Sequence, residues 1–112
     1  MADTLKVAFA TIVGTTGTSA PQDAILTASS ATITVLSVSL CNTETADDAD
    51  FDLYVKDNDS AISYIYKSQS LPSLATFVHT AKIVLEDSDT LNCVLSADSQ
   101  DIDVVISYLN QT

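Results

Sequence analysis

The sequence predicts an all-β protein: one antiparallel β-sandwich, of jelly-roll or Ig-like type, with about eight to nine strands. Three observations carry this. Apolar residues recur at every second position. Phe51, Leu53 and Val55 alternate with Asp52, Tyr54 and Lys56, and Ile102, Val104, Ile106 and Tyr108 alternate with Asp103, Val105 and Ser107. Half-buried strands have this period because successive side chains point to opposite faces. Residue choice agrees: Val, Ile and Tyr are abundant and 28 positions are Ser or Thr, a composition that suits a pleated surface. Turn-forming clusters also separate the runs at intervals of about 8–12 residues, as in sandwiches and barrels.

The elements follow in order. Leu5–Val13 is the first extended segment, with residues 1–6 read as an N-terminal arm. Residues 14–22, containing Gly14, Gly17 and Pro21, read as a flexible connector. Asp23–Ala28 and Ala31–Asn42 come next. The second of these switches parity, from Ile33 and Val35 to Leu36, Val38 and Leu40, which a β-bulge near Val35–Leu36 or burial on both faces would explain. Glu44 to Asp48 is a polar loop, and only Asp47 to Asp50 has room for a helical turn. Asp50–Asp57 and Ser60–Ser68 flank a hairpin turn at Asp57-Asn58-Asp59-Ser60, where Asn and Asp tolerate left-handed φ. Thr76–His79, Lys82–Leu85, Leu91–Ser96 and Ile102–Leu109 complete nine segments, with turns at Glu86–Asp89 and Ala97–Gln100. The whole chain, 1–112, reads as one domain, in keeping with the usual size of a single core.

Composition narrows the function classes. Fifteen acids against four lysines and no arginine give a formal net charge of −11. Such a chain repels phosphate backbones and anionic lipid, so neither nucleic acid nor membrane is an expected partner. Val, Ile and Leu fill 29 of the 112 positions, enough apolar surface to offset chain entropy despite the charge. The N-terminus carries an acid rather than a basic leader, and the longest apolar runs fall far short of the roughly 20 residues that span a bilayer. A cleaved signal is therefore not expected. Cys41 shares parity with Ser37 and Ser39, and Cys93 with Leu91 and Leu95. Facing opposite ways, they are read as two free thiols.

The C-terminal half carries a resemblance. Lys82-Ile83-Val84-Leu85-Glu86, then Asp89-Thr90-Leu91, then Asp103-Val104-Val105-Ile106-Ser107-Tyr108-Leu109 follow one another, behind the central Ile33–Asn42 strand. Over residues 23–110 the chain resembles a family of small β-sandwich virion proteins of tailed bacteriophages, of the marine and cyanobacterial phage type. It departs in having Ser88 where that family often has Gly, and Leu71-Pro72-Ser73-Leu74 where a "PAG" turn is common. The resemblance implies a non-enzymatic structural protein, made in the host cytoplasm and located in the virion. Its roles there are capsid decoration (cement) or a neck or tail accessory function; a separate reading of a small β-sandwich is a tail-tip or fibre-associated module that binds host glycan. The implied partners are other virion proteins, the major capsid protein or neck and tail proteins, together with further copies in a homo-oligomer. No catalytic set and no cofactor come with it.

Candidate sites are few. Asp48, Asp50 and Asp52 offer oxygens of the kind calcium takes, but the spacing lacks the Gly and distal Glu of an EF-hand, and a solvated acidic loop is the favoured reading. Glu86, Asp87 and Asp89 crowd one turn instead of facing each other across a cleft. His79, the single histidine, has no G-x-S-x-G elbow to serve and reads as a strand-end or interface residue. Tyr64 and Tyr66 share parity with Ile62 and read as core or edge packing. Tyr54 lies on the Asp52/Lys56 face and is a candidate contact. The remaining interface candidates are Leu5 in the arm and Leu71, Pro72 and Leu74 in an apolar loop.

Overall fold

The computed structural model describes residues 3–12, 24–45, 48–95 and 102–112. They form nine strands and no helix: β1 (Asp3–Ile12), β2 (Ala24–Thr27), β3 (Thr32–Asn42), β4 (Ala49–Lys56), β5 (Ile62–Leu71), β6 (Thr76–His79), β7 (Ile83–Leu85), β8 (Thr90–Leu95) and β9 (Ile102–Gln111). One sheet runs β1-β9-β3-β6, with β7 also on β3; the other runs β2-β8-β4-β5. Every pairing is antiparallel. The pairs nest: β4 with β5 innermost, β3 with β6 and β7, β2 with β8, and β1 with β9 outermost. A long hairpin rolled up in this way is a jelly roll, which decides between the two sandwich types the sequence left open.

The inner faces hold Ile33, Val35, Val38 and Leu40 of β3, Ile102, Val104 and Ile106 of β9, Phe51 and Leu53 of β4, and Leu91, Cys93 and Leu95 of β8, all buried. The parity switch in β3 is a bulge, with the β9 register shifting between Val35 and Ser37. It also divides one edge of β3 between two short strands: β7 pairs with Ile33–Val35 and β6 with Val38–Cys41. The bulge thus keeps apolar side chains inward on both sides of the break.

Acids make the turns. In the β4–β5 turn the Asp57 carboxylate accepts the backbone N–H groups of Asp59 and Ala61, both at 2.9 Å, while Ser60 stands at φ 68°. In the β7–β8 turn Asp89 accepts the Glu86 N–H at 3.0 Å, and Asp87 accepts the Ser30 N–H at 2.7 Å. These carboxylates replace partners that strand backbone loses where the ladder ends.

Four expectations change. Residues 3–6, read as an arm, are paired with residues 108–111, because the alternation of Leu5, Val7 and Phe9 extends a strand back to Asp3. Ala49 and Asp50 begin β4, so they belong to no helical turn; Asp47 lies outside the described residues, as do the 14–22 connector and the Ala97–Gln100 turn. Leu71 ends β5 as a core residue, 1% exposed, and its side chain offers no contact surface. Tyr64 and Tyr66 do not share a face: Tyr54 is opposite Tyr64 and Leu53 opposite Tyr66, so β5 contains an irregularity between them. Tyr66 turns inward against Phe51 and Phe77, while Tyr64 is 49% exposed.

Candidate docking surfaces

The β5–β6 turn is held from below. Asn42, fully buried at the end of β3, donates from Nδ2 to the Leu71 carbonyl at 3.1 Å, and its backbone N–H reaches the Ala75 carbonyl at 3.0 Å. From the side, Asp48 accepts the Ser73 N–H at 3.0 Å. Between these anchors Pro72 is exposed and Leu74, at φ 59°, is 64% exposed. A leucine in the left-handed region costs about 1–2 kcal/mol, so the anchors impose the conformation that presents it.

A second feature lies on the outer face of the β2-β8-β4-β5 sheet. The rings of Tyr54 and Tyr64 stand 5.4 Å apart, tilted by 56°. Lys67 places its ammonium 4.5 Å from the Tyr64 ring centroid and 3.2 Å from the Asp52 carboxylate. The other Asp52 oxygen accepts the Ser68 N–H at 2.7 Å, securing a residue at φ 52°. The hydrogen bond and charge of Asp52 raise the Lys67 pKa, while burial, then the charges of Tyr64 and Asp52, raise that of Tyr54. Asp48 and Asp52 therefore serve as acceptors for backbone. Asp50 is exposed nearby, and no group of three or more His, Cys, Asp or Glu assembles among the described residues.

The third feature is the outer face of the β1-β9-β3 sheet. Opposed residues share a face in an antiparallel ladder. Leu5 is opposite Leu109, Val7 opposite Ser107, Phe9 opposite Val105 and Thr11 opposite Asp103. β3 adds Thr34, Ser37, Ser39 and Cys41, and the edge strands add Val78 and Val84. Among the described residues here only Asp3 and Asp103 carry charge, in a chain of net −11. Leu5 and Phe9 are 71% and 75% exposed. The sequence flagged Leu5 only as part of an N-terminal arm; Val7 and Phe9 lie on the same stripe, and their outward direction becomes visible only when β9 is known to lie alongside.

The titratable groups most remote from solvent face the core. Cys93 is buried among Leu91, Leu95 and Leu53, and burial pushes its thiol up to about 12. It is free, as is the half-buried Cys41 on the outer face. His79 sits at the end of β6, buried, sharing a 2.8 Å hydrogen bond through Nδ1 with the Tyr66 hydroxyl. The geometry supplies surfaces for contact: a rigid apolar tip, a tyrosine pair and a charge-poor sheet face.

Neither the known family models nor the curated proteins include a match to this chain. Among solved structures it is similar to a chain in the acidic stable capsid structure of Helicobacter pylori bacteriophage KHP30. The TM-score is 0.60 at 11% identity, covering 99% of this chain and 92% of that one. The likeness is one of fold along almost the full length of both. No helix among the described residues is long and apolar enough to cross a membrane.

Proposed function

We propose that this chain is a non-enzymatic structural protein of a phage virion, and specifically a capsid decoration protein that docks on neighbouring virion subunits. The observation that carries the reading is the full-length fold likeness to a chain of a phage capsid structure. Jelly rolls also serve lectins and enzymes, so fold alone does not choose among them. Support comes from the surfaces: the anchored Leu74 tip and the charge-poor β1-β9-β3 face suit contacts with protein, and the acidic remainder keeps free copies apart until they meet a complementary surface. Weak contacts repeated over a lattice hold each copy without high individual affinity.

Cryo-EM and mass spectrometry of purified particles test this. Density for the fold repeated regularly over the head is the expected result. Density at a single vertex would move the protein to the neck or tail, and absence from particles would refute the virion assignment. The Tyr54–Tyr64 pair, flanked by Asp52 and Lys67, favours one second reading, a host-glycan-binding accessory. A glycan array separates the two, since a decoration protein gives no signal there.

A further inference from the structure

The four outer edges of the two sheets are not alike. A free edge is a row of unpaired N–H and C=O groups, and proteins blunt it with short strands, bulges or inward charges. β2 has 4 residues, and the edge shared by β6 and β7 is broken into 4 and 3. β5 is long but interrupted by the irregularities between Phe51/Leu53 and Leu53/Tyr54, with Ser68 at positive φ and Lys67 beside it. β1 carries one of these devices, Lys6 on the face away from the outer stripe, and none of the others. Its 10 residues contain no proline, and its register with β9 runs unbroken from Asp3↔Gln111 to Ile12↔Ile102. Among the described residues no strand pairs with its other side.

The sequence of β1 is also complementary to itself. Turned antiparallel about a two-fold axis at Val7, Leu5 falls opposite Phe9, Val7 opposite Val7 and Asp3 opposite Thr11, all on the outer face. On the other face Lys6 falls opposite Ala8. Apolar meets apolar, the long lysine meets a small residue, and no like charges stand directly opposed. The strand carries one Asp and one Lys, so this edge is neutral while the whole chain is −11. An uncharged edge is where two such acidic molecules approach at least electrostatic cost.

We infer that β1 pairs with β1 of a second copy, antiparallel about Val7, joining two β1-β9-β3 sheets into one continuous sheet. The exposed Leu5, Val7 and Phe9 then become a cross-strand apolar seam. The interface is isologous, as a two-fold dimer requires. The inference goes beyond the virion reading and does not depend on it, because it concerns the purified chain alone.

Sedimentation velocity and native mass spectrometry on the full chain test it. The wild type is expected to show a species of twice 11.8 kDa that grows with concentration. Val7→Lys and Val7→Glu each set like charges against each other at the axis and are expected to be monomeric, with wild-type circular dichroism because Val7 is 50% exposed. An equimolar mixture of the two restores a heterodimer. As a second measurement, Val7→Cys in a Cys41→Ser background cross-links between copies on oxidation about tenfold faster than Leu5→Cys in the same background, since only position 7 opposes itself. A wild type that stays monomeric, a dimer indifferent to Val7→Lys, or a charge pair that does not recombine would each overturn the inference. So would binding of this edge to a capsid protein by a chain that never pairs with itself.

Discussion

Asn42 shows how one buried polar side chain fixes a surface feature. Its Nδ2 donates to Leu71, 29 residues away, and its Oδ1 accepts the Glu44 N–H at 3.0 Å. Replacing it with Ala leaves one buried and one part-buried backbone group without these partners, and loss of a buried one costs about 1–3 kcal/mol. Asn42→Ala is therefore expected to lower unfolding free energy by about 2–4 kcal/mol in urea titrations and to loosen the Leu74 tip. Cys93 gives a pH signature. Its folded-state pKa is raised, from 9.0 to about 12, so above pH 9 the unfolded chain releases a proton that the folded chain keeps. Stability contributed by this group is present below pH 9 and falls as pH rises toward 12, by up to about 1.4 kcal/mol per pH unit. Tyr54, also raised, acts in the same sense once the pH passes the ordinary tyrosine value of 10.0. Cys93→Ala, measured by chemical denaturation from pH 8 to 11, should flatten the decline. The inward direction of Cys93 was legible from its parity with Leu91 and Leu95. The partners of Asn42 were not, because an Asn after a strand looks like any turn residue and its acceptor is far away in sequence.

The irregular strands β3 and β5 differ in how openly the sequence declares them. In β3 the apolar positions change parity at Leu36, which the sequence reads as a bulge or as burial on both faces, and the register with β9 shows the bulge. In β5 the run Ile62, Tyr64, Tyr66 keeps one parity while the backbone does not, and the expectation of a shared face failed there. What the run conceals is a structure held from β4 by Asp52, which accepts the Ser68 N–H and pairs with Lys67. Asp52→Ala is expected to cost about 1–2 kcal/mol, the share of the charged hydrogen bond to backbone rather than of the exposed ion pair. Loss of the tyrosine pair geometry should follow, visible in near-ultraviolet circular dichroism. Ser88 makes the opposite case. It stands at φ 76°, in the conformation glycine adopts freely, at the position where the sequence departs from an expected Gly. Ser88→Gly relieves the left-handed strain at some cost in chain entropy and should raise stability by about 0.5 kcal/mol.

At the scale of the molecule, charge and topology matter most. Nine segments were legible, and so were the faces of those with one wet and one dry side; the outward apolar stripe of β1 and the opposed directions of Tyr64 and Tyr66 were not. The jelly-roll order was not, since alternation says which face is buried and nothing about which strand lies alongside. Charge is unevenly placed: Asp50, Asp52, Lys56 and Lys67 lie on the β4 and β5 side, and the β1-β9-β3 face is nearly bare. Self-repulsion at −11 weakens the compact state at low ionic strength, so raising NaCl from about 20 to about 500 mM should raise the melting temperature by a few degrees in differential scanning calorimetry. The nested pairing has a consequence in time. The β4–β5 hairpin closes across a handful of residues, whereas β1 must wait for β9, which the ribosome releases last of the nine strands. Loop closure makes such distant ladders slow, so the molecule is expected to zip outward from its middle. Until synthesis reaches Gln111 the earliest-made strand has no lane to enter, and its oily stripe must be kept from stray company.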